Sequence, residues 1–320
     1  MPITVPPPPM RTNAPIPTWF GVGGGADLLA RPESLDQLCA CLESDRRAKV
    51  LGDGANLLVA DAGVRGMVVS LDHECFSAWH QTAQSPTHVT IRAGAGVRLP
   101  RLITETVRAG LGGLEGLAGV PASVGGAVMM NAGGAMGQTG DAVSAVGVLT
   151  RDGAAHTLLR NTIAFEYRRT TLFADPRRPA PAPELGPPVV LWAEFKLKKT
   201  DAGTLRQRLK RVMAAKAATQ PMGERSAGCA FKNPVLRADL PGMGVAGSTL
   251  SAGMLIDRAG CKGLRVGGAE VSARHANFVT AQPGALAADV IELLRQVRQR
   301  VDGAFGVRLE PEVVIWGDAL

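Results

Sequence analysis

Eleven glycines fall within residues 110–140, among them the pairs Gly125-Gly126 and Gly133-Gly134. An ordinary helix or strand does not carry glycine at that density, because each one costs backbone entropy and leaves no side chain to pack. Something must press against that backbone, either another main-chain segment or an extended cofactor. A second glycine loop, Gly52-Asp53-Gly54-Ala55-Asn56, follows an apolar strand pattern at 48–51 and leads into another at 57–60. Successive N–H groups in such a turn can form an anion-binding nest, and glycine permits the close approach a diphosphate requires. An ordinary β-turn is the alternative for this loop taken alone. Two glycine loops in one chain favour a large cofactor carrying a diphosphate. A third run, Gly21 to Ala26, satisfies the G-x-G-x-x-A dinucleotide pattern. It lacks the preceding strand and following helix that the pattern needs, because Pro15, Pro17 and Pro32 interrupt both, so a Rossmann reading is set aside.

With 320 residues, 46% of them apolar and 20% charged, the chain is globular and long enough for two or three domains. A net charge of +7 favours acidic partners such as phosphates, nucleotides or nucleic acid. The 4% aromatic content with a single tyrosine, Tyr167, argues against a base-stacking platform for nucleic acid. Five cysteines with no C-x-x-C pair fit neither a disulfide framework nor a zinc site, so a reducing compartment and no metal are expected. Residues 1–17 contain Pro6 to Pro9 and no apolar signal region, which predicts a loose polyproline-like leader on a cytoplasmic protein. Residues 116–140 are uncharged for about the length of a membrane span. They are built of Gly, Ala, Ser and Asn around Pro121 rather than Leu, Ile and Phe, so no span is expected.

Helical spacing predicts helices at 34–43 with Ser34 as cap, at 100–109 with Leu102, Ile103 and Val107 inward, and at 201–217 burying Leu205, Leu209, Val212 and Met213. Two more are predicted at 252–259 and at 287–301, the latter with a stripe of Val290, Leu293, Leu294, Val297 and Val301. Strands are predicted at 48–51, 57–60, 67–71, 89–93, 143–150, 157–159, 189–197 and 307–316. Asp152-Gly153 forms a hairpin turn between the fifth and sixth of these, and a proline-rich loop spans 176–188.

Three polar constellations stand beside these elements: Tyr167-Arg168-Arg169-Thr170, the run from Ser226 to Pro234 around Cys229, and Leu309-Glu310-Pro311-Glu312-Val313. Arginine offers a fixed fork for carboxylate or phosphate, a cysteine next to glycine offers an exposed thiol, and a glutamate entering an apolar strand invites a raised pKa. Each also has a structural reading: Arg168 as a surface charge, Cys229 as a small buried hydrophobe, Glu312 as an ion-paired strand residue. Spacing alone does not join them. As an ordered series with TWFGVGGGAD, LGDGANLLVAD, GLEGLAGVPASVGGAVMMNAGG, AGMLIDRAGCKGLRVGGAEVSARHANFV and LEPEVVIWG, the three constellations resemble the UDP-N-acetylenolpyruvoylglucosamine reductase (MurB) family of peptidoglycan synthesis, over nearly the whole chain.

That resemblance implies an α+β protein: a two-lobed FAD-binding fold of the vanillyl-alcohol-oxidase (PCMH) type with a separate α+β substrate-binding domain. The implied division is a disordered leader at 1–17, FAD lobes at 18–72 and 73–204, a substrate domain at 205–303 and a returning strand at 304–320. FAD is implied against Gly52, Asp53, Gly54, Ala55 and Asn56 and against Pro121, Ala122, Ser123, Gly125, Gly126 and Asn131, with NADPH as hydride donor. The implied substrate is a UDP-sugar enolpyruvyl ether contacted by Tyr167, Lys232, Asn233, His275 and Lys216, with Arg225 a further candidate. Arg168 and a protonated Glu312 match the positions that stabilise the enolate, and Cys229 stands where better-known relatives carry the serine proton donor. A free thiol, with a pKa of about 8.5, is a stronger acid than a serine hydroxyl. Since Tyr167 is already part of YRRT, the chain resembles the form lacking the extra tyrosine loop. Ala55 and Ala122 depart from the usual serine and glycine. A monomer without nucleic-acid partners is favoured. Another FAD oxidoreductase of the same fold, or a non-catalytic basic nucleotide-binding protein, remain as competing readings.

Overall fold

The computed structural model describes residues 6–175 and 185–317, so most of the proline-rich loop anticipated at 176–188 lies outside the described residues. Seven α-helices are found there: α1 (Leu35–Ser44), α2 (Glu74–Ser77), α3 (Leu99–Arg108), α4 (Val124–Met129), α5 (Ala202–Thr219), α6 (Ala252–Arg258) and α7 (Ala287–Phe305). The chain divides into two compact units. The first takes residues 1–14, 26–53 and 66–215; the second takes 15–25, 54–65 and 216–320.

The first unit contains a four-stranded sheet in the order Met10–Pro15, Gly25–Ala30, Val64–Ser70, Lys49–Leu51. Met10–Pro15 is therefore a strand rather than part of a loose leader. The segment before it is held as well, since Arg31 N–H donates to the Pro9 carbonyl at 2.9 Å and Gln37 Nε2 to the Pro6 carbonyl at 3.2 Å. Helix α1 starts at Ser34, whose hydroxyl accepts the Gln37 N–H, and buries Leu38, Cys41 and Leu42. A second, larger sheet runs in the order Ala155–Leu159, Val143–Leu149, Val189–Lys199, His88–Gly94, Trp79–Gln84, with Leu111–Gly112 also on Val189–Lys199. Its antiparallel register pairs Leu149 with Ala155, so Asp152-Gly153 does turn the predicted hairpin. Helix α3 begins with Pro100 in its first turn and buries Leu99, Leu102, Ile103 and Val107. On α5 only Leu205 and Val212 are fully buried, since Leu209 and Met213 lie at the rim of the stripe.

The second unit holds the parallel pair Leu57–Val59 with Val314–Trp316 and an antiparallel sheet of Arg265–Val266, Ala269–Val271 and Val279–Ala281. The stripe predicted on α7, Val290, Leu293, Leu294, Val297 and Val301, is buried together with Leu255 and Ile256 of α6. The predicted strand at 307–316 is shorter than its apolar pattern suggested. Its residues change partners: Pro311 forms an isolated antiparallel bridge to Phe231, and only Val314–Trp316 continues as a strand, parallel to Leu57–Val59. Two glycines of the run from Gly21 to Ala26 are required by packing alone. A Cβ on Gly23 would collide with the Val59 carbonyl, and one on Gly24 would lie 2.5 Å from the Asp61 carbonyl oxygen.

The N-terminus of α7 is capped from far away in sequence. Both carboxylate oxygens of Asp61 accept, from Ala287 N–H at 2.8 Å and from Ala288 N–H at 2.9 Å. A carboxylate at a helix start satisfies orphan donors and faces the positive end of the dipole. Asp61→Ala should lower stability by about 1–2 kcal/mol, read as an earlier midpoint in urea unfolding, while Asp61→Asn should recover most of the loss.

Candidate active site

In the first unit, the start of the Gly52 loop lies against the glycine tract. A Cβ on Gly52 would stand 2.8 Å from Ser123 Oγ, the hydroxyl that caps α4 by accepting the Gly126 N–H at 3.2 Å. The tract is thus not wholly irregular, since Val124–Met129 forms a short helix despite Gly125 and Gly126. Its first N–H groups already have protein acceptors. Val124 donates to the Val97 carbonyl and Gly125 to the Ala95 carbonyl, both at 2.8 Å. Much of the glycine content follows from protein packing rather than from a cofactor. A Cβ on Gly125 would press on Ala95 at 3.0 Å, one on Gly133 would lie 2.5 Å from the Gly137 carbonyl oxygen, and one on Gly116 would strike the Met136 carbonyl. Gly126 is different, meeting only Ser123 Oγ at 3.4 Å, and Gly134 meets nothing within 4 Å. The carbonyl of Ala122, next to Pro121, accepts the Leu99 N–H at 2.8 Å.

Asp53 supplies the sharpest test of what this region would hold. Its Oδ1 lies 3.4 Å from Arg98 Nε, and its Oδ2 is buried with no hydrogen-bond partner among the described residues. A buried acceptor without a donor is costly and marks a place where a ligand group belongs. A hydroxyl fits it and a phosphate oxygen does not, since two anions would repel. FAD, which carries sugar and ribityl hydroxyls beside its diphosphate, fits this donor requirement.

At the other end of α4 sits the arginine turn. Strands Ala164–Glu166 and Arg169–Thr171 pair with Glu166 opposite Arg169, which leaves Tyr167 and Arg168 as a two-residue turn. Arg168 has φ +56°, a left-handed backbone unusual outside glycine and asparagine. Its Nη1 donates to the Gly133 carbonyl at 3.0 Å, and its guanidinium lies 5.1 Å from the ring centroid of Tyr167, which is half exposed. Asn131, anticipated as a flavin contact, spends its side chain on protein. Its Nδ2 donates to Gln138 Oε1 and to the Glu166 carbonyl, and its Oδ1 accepts the Gly140 N–H, all at 2.9 Å.

The second unit brings together what spacing could not. Glu312 N–H donates to the Ala230 carbonyl at 2.8 Å, and Lys232 N–H to the Glu310 carbonyl at 2.9 Å, so the Cys229 segment and the Glu312 segment run side by side. Cys229, partly buried, also bridges to Phe278, and Ala230 N–H reaches the Asn277 carbonyl at 2.7 Å. Asn277 clamps this junction with its side chain. Its Oδ1 accepts the Phe231 N–H at 2.9 Å while its Nδ2 donates to the Phe231 carbonyl at 2.8 Å. Sequence reading missed it, because in a single sequence an asparagine following His275-Ala276 carries no signal of a bond formed 46 residues away. Asn56 does a similar thing: its Nδ2 donates to the Glu312 carbonyl at 3.0 Å, and its own carbonyl accepts the Val314 N–H. That side chain thus holds the Glu312 backbone rather than being wholly free for a cofactor.

The anticipated substrate residues of this unit are placed as follows. Lys232 Nζ lies 3.5 Å from Glu310 Oε2 at the surface, and Asn233 Oδ1 accepts the Ala252 N–H at the start of α6. His275 Nδ1 accepts the Asn277 N–H at 3.2 Å, and its ring stands edge-on to Phe278 at 4.9 Å. Burial pushes the His275 imidazole below its usual range against the opposing effect of a backbone hydrogen bond, and the Lys262 charge adds to the lowering. Lys216 is in the last turn of α5, and Arg225 lies beside Gly21 with its carbonyl bonded to Ala281 N–H. Gly54 and Ala55 belong to the second unit; a Cβ on Gly54, whose φ is +65°, would strike the Pro17 carbonyl.

Comparison with known proteins matches two successive parts of the chain, the first of which includes residues 54–65 of the second unit. Residues 26–159 match an FAD binding domain, and residues 220–316 match the C-terminal domain of UDP-N-acetylenolpyruvoylglucosamine reductase. Among curated proteins, the UDP-N-acetylenolpyruvoylglucosamine reductase of Moorella thermoacetica is 40% identical over 315 residues, covering 97% of this chain and 94% of that protein. That of Desulfosudis oleivorans is 40% identical over 304 residues, covering 94% and 91%. The crystal structure of the Thermus caldophilus reductase superposes with a TM-score of 0.74 at 38% identity, covering 94% of this chain and 96% of that one. The fold is accordingly α+β, a two-lobed FAD-binding fold of the vanillyl-alcohol-oxidase type with a separate α+β domain. With such identity sustained along nearly the whole length of both partners, the chain belongs to the UDP-N-acetylenolpyruvoylglucosamine reductase family.

Proposed function

We propose that this protein is an FAD-dependent oxidoreductase that reduces UDP-N-acetylglucosamine enolpyruvate to UDP-N-acetylmuramate at the expense of NADPH, in the cytoplasm, as a step of peptidoglycan precursor synthesis. The observation that carries the proposal is the junction in the second unit, where the Cys229 and Glu312 segments are bonded side by side through Ala230 and braced by Asn277 and Asn56, in a chain of this family. The residues proposed to hold the flavin are Asp53, through Oδ2 to a hydroxyl, the backbone of Gly52, Gly54, Ala55 and Asn56 toward the diphosphate, and the surface of Pro121 to Gly126. FAD, when bound, supplies the hydride that the substrate's C3 accepts.

The chain's own residues would manage the charge and the proton. Hydride addition at C3 places negative charge on the carboxylate side of the substrate, where preorganised donors contribute most. Arg168 is proposed to face that carboxylate with its guanidinium, and Glu312, protonated, to donate a hydrogen bond to it. A charged Glu312 would repel the enolate. Cys229 is proposed to give its Sγ proton to C2, so that hydride and proton together saturate the double bond. Lys232, Asn233, His275, Tyr167 and Lys216 are proposed to contact the UDP-sugar. A different flavin oxidoreductase of the same fold would not need the YRRT and LEPEV motifs, and a non-catalytic nucleotide-binding protein would not need a flavin.

The decisive measurement is NADPH oxidation by the FAD-loaded protein with and without UDP-N-acetylglucosamine enolpyruvate; stimulation by that compound supports the proposal, and its absence sinks it. Removing the proton donor should cost about 10²- to 10⁴-fold in turnover. Cys229→Ala should therefore be reduced by NADPH at the parent rate yet be reoxidised by substrate slowly, whereas Cys229→Ser should keep measurable turnover. Asp53→Ala should weaken FAD binding by about 10- to 100-fold, the worth of a hydrogen bond to a charged group, as followed by flavin fluorescence during titration of the apoprotein.

A further inference from the structure

We propose that Asn131 is a positioning residue for Arg168: it fixes the turn that carries the guanidinium and does not itself contact the flavin. The proposal rests on the role given to Arg168 above. Asn131 is only 1% exposed and itself takes a left-handed backbone, φ +40°. Both hydrogens of its amide are used, one on Gln138 Oε1 and one on the Glu166 carbonyl, and its oxygen holds the Gly140 N–H. One lone pair is all that is left of its hydrogen-bonding capacity.

The carbonyl it grips belongs to the residue that opens the two-residue turn. Immediately after Glu166 come Tyr167 and Arg168, and Arg168 holds φ +56°. Asn131 and Arg168 are both left-handed non-glycine residues, linked through the Glu166 carbonyl two positions before Arg168, and such backbones persist only where the surroundings over-determine them. The over-determination is visible. Thr170 Oγ1 donates to the Val128 carbonyl at 2.5 Å, Arg168 Nη1 to the Gly133 carbonyl at 3.0 Å, and Asn131 Nδ2 to the Glu166 carbonyl at 2.9 Å. All three tethers join the hairpin to residues 128–133, the C-terminal end of α4 and the turn after it. Asn131 is the buried member of the set. Without it the Glu166 carbonyl loses this tether to residues 128–133, and the turn can relax toward an unstrained backbone that swings the guanidinium away from its present direction.

The test uses Asn131→Gly, because glycine accepts φ +40° without strain and removes only the side chain. A displacement of about 1 Å in a positioned group costs on the order of 10²-fold, so reoxidation of the reduced flavin by the enolpyruvyl substrate should slow by that order. Apoprotein affinity for FAD, measured by fluorescence titration, and flavin reduction by NADPH should match the parent. Arg168→Gly, equally tolerant of its backbone, should show the same division, and the double variant should be no slower than Arg168→Gly alone. A fall in FAD affinity for Asn131→Gly, or independent multiplication of the two defects, overturns the proposal. If Arg168→Gly is reoxidised at the parent rate, the error lies instead in the role of Arg168. Should Asn131→Gly fail to fold by circular dichroism, Thr170→Val decides: slowed reoxidation at parent FAD affinity supports the tether, and parent behaviour in both overturns it.

Discussion

The residues proposed for catalysis stand on irregular backbone, and buried irregular backbone has no ladder in which to place its N–H and C=O groups. Asparagine side chains solve that problem here, because a carboxamide presents the same donor and acceptor pair as a peptide. Asn277 closes both sides of Phe231, two residues from Cys229. Asn56 holds the Glu312 carbonyl, and Asn131 holds the Glu166 carbonyl beside the Arg168 turn. Each of the three residues proposed for catalysis therefore sits within two positions of a backbone group fixed by an asparagine. Leaving such a group buried without a partner costs about 1–3 kcal/mol, which is reason enough for the segments to keep a single arrangement.

The glycine tract shows a different kind of constraint. Its density suggested a bound cofactor, and part of it has another cause. Gly116, Gly125 and Gly133 are small because carbonyl groups or Ala95 occupy the space a Cβ would need, and Gly140 because the Phe165 ring does. Close main-chain packing lets α4 sit tightly against the loops holding Ala95 and Val97, whose carbonyls use up its first N–H groups. The helix is a strut between the Gly52 loop at its start and the Arg168 turn at its end. The flavin contacts proposed above accordingly place the diphosphate at the loop and a hydroxyl at the Asp53 Oδ2, which is buried with no hydrogen-bond partner among the described residues.

Regular elements were legible wherever a periodic apolar stripe carried them. The stripe on α7, the inward face of α3, the Ser34 cap and the Asp152-Gly153 turn follow from local spacing and local chemistry. Met10–Pro15 was not legible: its side chains are mostly exposed, so it has no alternating pattern, and it exists because Gly25–Ala30 offers it a free edge. The stretch ending in Trp316 misled in the opposite direction, with apolar residues enough for one long strand but two different partners, Phe231 at Pro311 and Leu57–Val59 at Val314–Trp316. Of the candidate site, Arg168, Cys229 and Glu312 were readable as residue types set in motifs.

Sequence alone determined which groups are available: a fork, a thiol, a carboxyl and two glycine loops, in an order shared with one family, since these depend only on identity and spacing along the chain. The tertiary structure decided which of them meet. Cys229 and Glu312 are separated by more than eighty residues and are joined through Ala230, while the side-chain bonds of Asn131, Asn277 and Asp61 span between seven and more than two hundred residues. Hydrogen bonds between distant segments leave no periodic trace in the chain, because a single asparagine or aspartate looks the same whether it caps a turn, faces solvent or closes a core.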